Sequence, residues 1–215
     1  MANKPSVGTD GTRPSSTDAE DDYPSFDIKT IADQTGFTYK LVESLNERFN
    51  ELIESHTKSD FDDKILTPDD MYSVSEFKKN PMSKRIAQVF FSYSKDKERM
   101  SFEEFVTILA KFRSCHKFDK QTKKEKISEK LDFLFKIYDI DDNQQIDQKD
   151  AFTTLKACLS GGTLTDEAIM DLSKQMITEM DRDRDGFISK DDYYQTLNNT
   201  DIDSKFNLPF LNRKI

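Results

Sequence analysis

Residues 181–192, DRDRDGFISKDD, constrain the fold more than any other stretch of the chain. Carboxylates stand at loop positions 1, 3 and 5 (Asp181, Asp183, Asp185), glycine at 6 (Gly186), an aliphatic residue at 8 (Ile188), Ser189 at 9 and a carboxylate at 12 (Asp192). A hard divalent cation collects roughly six to eight oxygens from a tight loop, and alternating acids can all face inward only if the chain curls around such an ion. Gly186 suits the sharp bend, and Phe187 at position 7 offers its backbone carbonyl. Four carboxylates this close repel one another unless a cation lies between them. The stretch therefore reads as a calcium loop that joins two helices.

A second loop of the same kind occupies residues 139–150, DIDDNQQIDQKD. Asp139, Asp141 and Asn143 take positions 1, 3 and 5, Gln145 offers a carbonyl at 7, Ile146 stands at 8, Asp147 at 9 and Asp150 at 12. Gln144 replaces glycine at position 6, where a positive φ costs a side-chain-bearing residue about 1 kcal/mol. Two further loops keep the rhythm without the ligands. With Leu66 at position 8, Ser59, Phe61 and Asp63 fall at 1, 3 and 5. With Met100 at position 8, Tyr93, Lys95 and Lys97 do, and two lysines cannot coordinate calcium. These are four EF-hand units, of which the second pair keeps its ligands.

Both intact loops close with aspartate where the motif calls for glutamate. The arm is one methylene shorter and reaches the ion with one oxygen or through water. Magnesium, which prefers octahedral coordination, should then compete with calcium. Two calcium sites of modest affinity are expected, with magnesium as competitor.

The expected fold is all-α, four helix–loop–helix units in two paired lobes, with position-8 residues paired inside each lobe. Residues 1–26 read as a disordered polar leader, too poor in apolar side chains to offset ordering entropy. Residues 27–112 read as the N-terminal lobe with two degenerate loops. Its first helix spans about Thr38 to Glu54, with Leu41, Leu45, Phe49 and Leu52 on one face. Thr67-Pro68 with Asp70, and Ser101 with Glu104, are capping signatures. Residues 113–128 read as a polar, lysine-rich connector holding Cys115. Residues 129–198 form the C-terminal lobe with two metal-binding loops, entered by a helix whose face is Leu131, Leu134, Phe135 and Tyr138. Cys158 reads as core on the next helix. Residues 199–215 are a tail with apolar residues at Phe206, Leu208, Phe210 and Leu211.

A formal net charge of −9 argues against non-specific nucleic-acid binding. Two cysteines give no disulfide framework, and no metal spacing involves them. No apolar run is long enough to span a bilayer, and Ala2 stands where an N-myristoylation signal needs glycine. The expected setting is cytoplasmic, with membrane proximity only through a partner. No nucleophile–base constellation can be placed, so an enzyme is not expected.

The stretches TGFTYKLVESLNERFNEL (35–52), NPMSKRIAQVFF (80–91), SFEEFVTILAKFR (101–113), KLDFLFKIYDIDDN (130–143) and SKFNLPFL (204–211) resemble the calcineurin B-like group of EF-hand proteins, and most of all the calcineurin B homologous proteins. Calcium- and integrin-binding proteins share part of this pattern. The resemblance implies a non-enzymatic regulatory adaptor, monomeric when free, that holds an amphipathic helix of a protein target in an apolar groove. For the homologous proteins that helix belongs to a sodium/proton exchanger tail. For calcineurin B it belongs to the phosphatase catalytic subunit. The same reading extends to an integrin-tail calcium-binding adaptor and to a light chain of a cytoskeletal or motor protein. By resemblance, Phe49, Phe90, Phe105, Leu109, Phe112, Phe135, Phe152 and Met176 are candidates for the groove or its adjoining core.

Overall fold

The structure is a computed structural model, and it describes residues 27–54, 64–115, 118–159, 161–197 and 200–205. The leader, the first five positions of the loop at 59–70 and the tail residues 206–215 lie outside these. Helices α1 (Ile28–Thr35), α2 (Tyr39–Glu54), α3 (Pro68–Ser73), α4 (Ser75–Lys78), α5 (Ser83–Phe91) and α6 (Phe102–Ala110) build the first lobe. Helix α7 (Lys120–Tyr138), strand β1 (Gln145–Ile146), α8 (Gln148–Leu159), α9 (Asp166–Met180), β2 (Ile188–Ser189), α10 (Lys190–Leu197) and α11 (Ile202–Lys205) follow.

Local signals set the helix starts. The Thr67 hydroxyl accepts from the Asp70 amide while the Asp70 carboxylate accepts from the Thr67 amide, with Pro68 in the first helical position. Ser101 and Glu104 form the same reciprocal box. Each box satisfies amides that a helix start leaves open.

The position-8 residues pair as expected. Leu66 and Met100 exchange two backbone hydrogen bonds of 2.9 Å. Ile146 pairs with Ile188, and Gln145 with Ser189, in a two-stranded antiparallel ribbon. All four position-8 side chains are fully buried. The ribbon thus ties the two loops of each lobe together from their apolar side.

Three expectations need correction. Residues 120–128 are helical: α7 starts at Lys120, capped by the Asp119 side chain, which accepts from the Gln121 and Thr122 amides at 3.0 and 3.1 Å. Lysine, glutamate and glutamine favour helix without any apolar stripe, so a search for apolar periodicity passes over them. Helix α7 is also buried on two faces. Phe133 and Ile137 join the first-lobe core, Leu131 and Phe135 join the second, and Leu134 touches both. A single face of Leu131, Leu134, Phe135 and Tyr138 describes only half of it.

The cysteines are exchanged in role. Cys115 is fully buried and Cys158 is exposed. The chain leaving α6 turns inward, and the Cys115 amide donates to both carboxylate oxygens of Asp203, at 3.0 and 2.9 Å. The Lys130 ammonium completes this buried cluster, 2.5 Å from Asp203 Oδ1 and 2.8 Å from the Arg113 carbonyl. It fixes the short helix α11 against α7, and Ile202 enters the second-lobe core.

Helix α1 escapes a search for periodicity, because eight residues before a glycine carry little of it. Gly36 closes it at φ 65°, and Arg113 Nη1 donates to the Thr35 carbonyl at 2.7 Å. A Cβ on Gly36 would lie 2.5 Å from that nitrogen. Gly36→Ala should therefore lower folding stability by roughly 1–2 kcal/mol from the left-handed backbone alone, plus the cost of displacing Arg113. Urea denaturation of both chains checks this.

Candidate metal centre and apolar trough

The two intact loops fold alike. Positions 4 and 6 take positive φ in both: Asp142 (58°) and Gln144 (71°) in the first, Arg184 (64°) and Gly186 (94°) in the second. Gln144 thus adopts the bend that glycine makes in its partner loop. The position-1 carboxylates organise each turn. Asp139 accepts from the Asn143 and Gln144 amides at 3.0 and 2.9 Å. Asp181 accepts from the Arg184 and Gly186 amides at 2.7 and 2.8 Å.

Carboxylate oxygens of Asp139, Asp141 and Asp150 lie within 4.8 Å of one another, as do those of Asp181, Asp183 and Asp185. A cation 2.3–2.6 Å from each oxygen fits between atoms so spaced. The donor sets are hard oxygens throughout, which suits calcium or magnesium. The side chains of Asn143 and Ser189 and the carbonyls of Gln145 and Phe187 belong to the same loops. Asp147 caps α8 by accepting from the Asp150 amide at 2.8 Å.

The closing aspartates share one arrangement. Asp150 accepts from the amides at positions 2 and 9, Ile140 (3.2 Å) and Asp147 (3.3 Å). Asp192 accepts from Arg182 (3.2 Å) and Ser189 (3.0 Å), and from the Ser189 hydroxyl at 2.5 Å. Burial pushes the Asp150 and Asp139 carboxyls above the usual range, against the amides that hold them down. Asp192 is held below it, chiefly by the Ser189 hydroxyl.

A second feature lies in the first lobe. A trough of about 820 Å³ runs between Leu41, Leu45 and Leu52 of α2, Met71 of α3, Ile86 and Phe90 of α5, Phe105 and Leu109 of α6, and Phe133, Leu134 and Ile137 of α7. Of its lining side chains only Ser44 and Arg48 are polar. Four of the groove candidates, Phe90, Phe105, Leu109 and Phe112, are in that lining. Phe49 sits in the first-lobe core, its ring 5.3 Å from that of Phe105. Phe135 is fully buried in the second-lobe core, against Tyr193. Phe152 and Met176 are half-buried on α8 and α9, and Lys156 lies over the Phe152 ring. The groove candidates leave out the rim residues Leu41, Met71 and Ile86, although Leu41 stands on the apolar face expected of its helix. Their signal is the edge of each apolar stripe, where a side chain is only half covered.

The family model for an EF-hand domain pair matches residues 128–197. The type 1 calcineurin B of Dictyostelium discoideum is 31% identical over 172 residues, covering 80% of this chain and 86% of that protein. The chain belongs to the calcineurin B-like EF-hand family. The calcineurin B of Naegleria gruberi is 29% identical over 182 residues, covering 85% of the chain and 93% of the relative. Calcineurin B homologous protein 3 of Xenopus tropicalis is 26% identical over 207 residues, covering 87% and 93%. This calcineurin B-like chain shares the coarse role of such proteins, a calcium-binding regulatory adaptor. Among the described residues no helix is long and apolar enough to cross a membrane.

Proposed function

We propose that this chain is a regulatory subunit that holds an amphipathic helix of a partner protein in the first-lobe trough, with calcium or magnesium in loops 139–150 and 181–192. The observation that carries this reading is the trough itself, walled by first-lobe helices and α7 and almost wholly apolar. Such a surface matches the apolar stripe of a helix laid into it. The ions stabilise the second lobe, and α7 belongs to both lobes, so an ordered second lobe supports one wall of the trough. The free chain is a monomer in the cytoplasm and approaches a membrane only through its partner.

Two partner classes follow from the relatives. Those named calcineurin B favour a helix of a phosphatase catalytic chain, and they are more similar to this chain than the Xenopus protein. The resemblance to the homologous proteins, of which the Xenopus relative is one, favours the sodium/proton exchanger tail. Affinity capture from native lysate by the full chain, in calcium, magnesium or chelator, decides between them through the identity of the retained chain. Failure to retain any chain under all three conditions contradicts the adaptor reading.

A further inference from the structure

The first lobe reaches across to the metal loops at one guanidinium. Arg85 of α5 places its Nη2 within hydrogen-bond distance of three oxygens of the second half: the Lys136 carbonyl at 2.6 Å, the Asp139 carbonyl, and Asp142 Oδ1 at 3.0 Å. Its side chain is only 13% exposed, while that of Asp142 is 70% exposed. The two carbonyls end α7, where the helix dipole places partial negative charge, and a cation there is favourable. Arg85 is therefore the C-terminal cap of α7, supplied by another lobe.

Two of these three oxygens belong to the ion loop. Asp139 is the first ligand position of loop 139–150. Asp142 stands directly between the ligand positions Asp141 and Asn143, in a left-handed conformation. On the other side, Ile86 and Phe90 on α5 line the trough. One helix thus carries both the contact to the ion loop and a wall of the trough.

We propose that Arg85 is a positioning residue that couples ion binding in loop 139–150 to the placement of α5, and so to the shape of the trough. The inference deepens the adaptor reading and rests on it for its regulatory meaning. Held around an ion, Asp139, Asp141 and Asn143 would fix Asp142 between them and the end of α7 beside them. Arg85 then holds α5 against them. By reciprocity, a helix seated against α5 raises the affinity of that loop for its ion by the same factor.

Amide hydrogen exchange on the full chain tests the coupling without any partner. Calorimetric titration of the same samples reports ion binding separately. In the native chain, calcium should slow exchange across residues 83–91 by about fivefold or more. In Arg85→Met, calcium should still protect residues 139–150 and 181–192 while its effect on 83–91 falls below about twofold, a level outside the usual range of coupling. A merely structural strut would change exchange in α5 equally with and without calcium. Should Arg85→Met fail to fold, Asp142→Gly removes the carboxylate, leaves both carbonyl contacts and suits the left-handed backbone. It should lose a measurable part of the calcium response of α5. A full response in either folded variant overturns the proposal, as does an α5 indifferent to calcium in the native chain whose loops are protected. If calorimetry shows no ion binding, the metal reading fails first, and the coupling with it.

Discussion

Replacing Lys130 with methionine is expected to cost about 3–5 kcal/mol of folding stability, because it removes the ammonium that neutralises the buried Asp203 carboxylate. Lys130 is fully buried and Asp203 is 4% exposed. The Cys115 amide and the Ser114 hydroxyl, at 3.1 Å, also donate to the carboxylate. The double change Lys130→Met with Asp203→Leu should recover most of that loss, since an apolar pair of similar volume avoids burying either charge. Urea denaturation of the three variants checks this. Equal losses in single and double variants would show that the pair's polar shell, not its charge balance, fixes α11.

The same pair has a pH signature. Burial alone would raise the Asp203 carboxyl, but the Lys130 hydrogen bond, the Cys115 amide and the Lys130 charge outweigh it and hold it at about 2. Its folded value lies below its unfolded one. The stabilisation is therefore complete above about pH 4 and is lost as the pH falls from there through about 2. Lys130→Met should flatten stability across that window relative to the native chain.

Chelation is expected to have the other large effect. An ion that binds only the folded chain, present at a hundred times its dissociation constant, adds about 2.7 kcal/mol per site. Two sites then account for about 5 kcal/mol, or a fall of roughly 10–20 °C in Tm on removing divalent ions from a chain of this size. Asp139→Asn with Asp181→Asn should abolish the difference between calcium and chelator. Each position-1 carboxylate accepts at least two loop amides, so of the proposed ligands these are the ones whose loss should reach furthest into the loop. The closing aspartates are expected to set the balance between calcium and magnesium. Asp150→Glu with Asp192→Glu should tighten calcium binding and weaken competition by millimolar magnesium, measured by titration calorimetry. Tight native binding of calcium, indifferent to magnesium, would contradict the role given to the short closing arm.

The parts legible in sequence were those written in local chemistry. The ligand alternation, both capping boxes and the position-8 aliphatics each encode geometry within a dozen residues, and the ribbon at Ile146–Ile188 follows from them. The parts not legible depend on what the chain meets after it folds. Lys130 lies in the helix that enters the second lobe and carries no local sign of burial, yet it is buried because Asp203, 73 residues later, returns to it. Cys115 is buried by the same return. Phe133 and Ile137 belong to the first lobe although they lie in the second half of the chain, because α7 is shared. Arg85 looks like any exposed helix arginine until the end of α7 is placed beside it. The trough was legible only in part, since Phe90, Phe105, Leu109 and Phe112 sit on strong apolar stripes while its rim falls at their edges.

The adaptor reading stands or falls on whether the trough is where the partner sits. Leu41 and Met71 line its rim from α2 and α3 and are only half-buried, so arginine at both positions should leave the fold standing while placing two charges at the mouth of an apolar trough. The decisive measurement is affinity capture in calcium by the native chain and by the Leu41→Arg, Met71→Arg variant, with circular dichroism to show that both are folded. The native chain should retain its helical partner and the variant should not. Equal recovery of the same partner by both chains would contradict it.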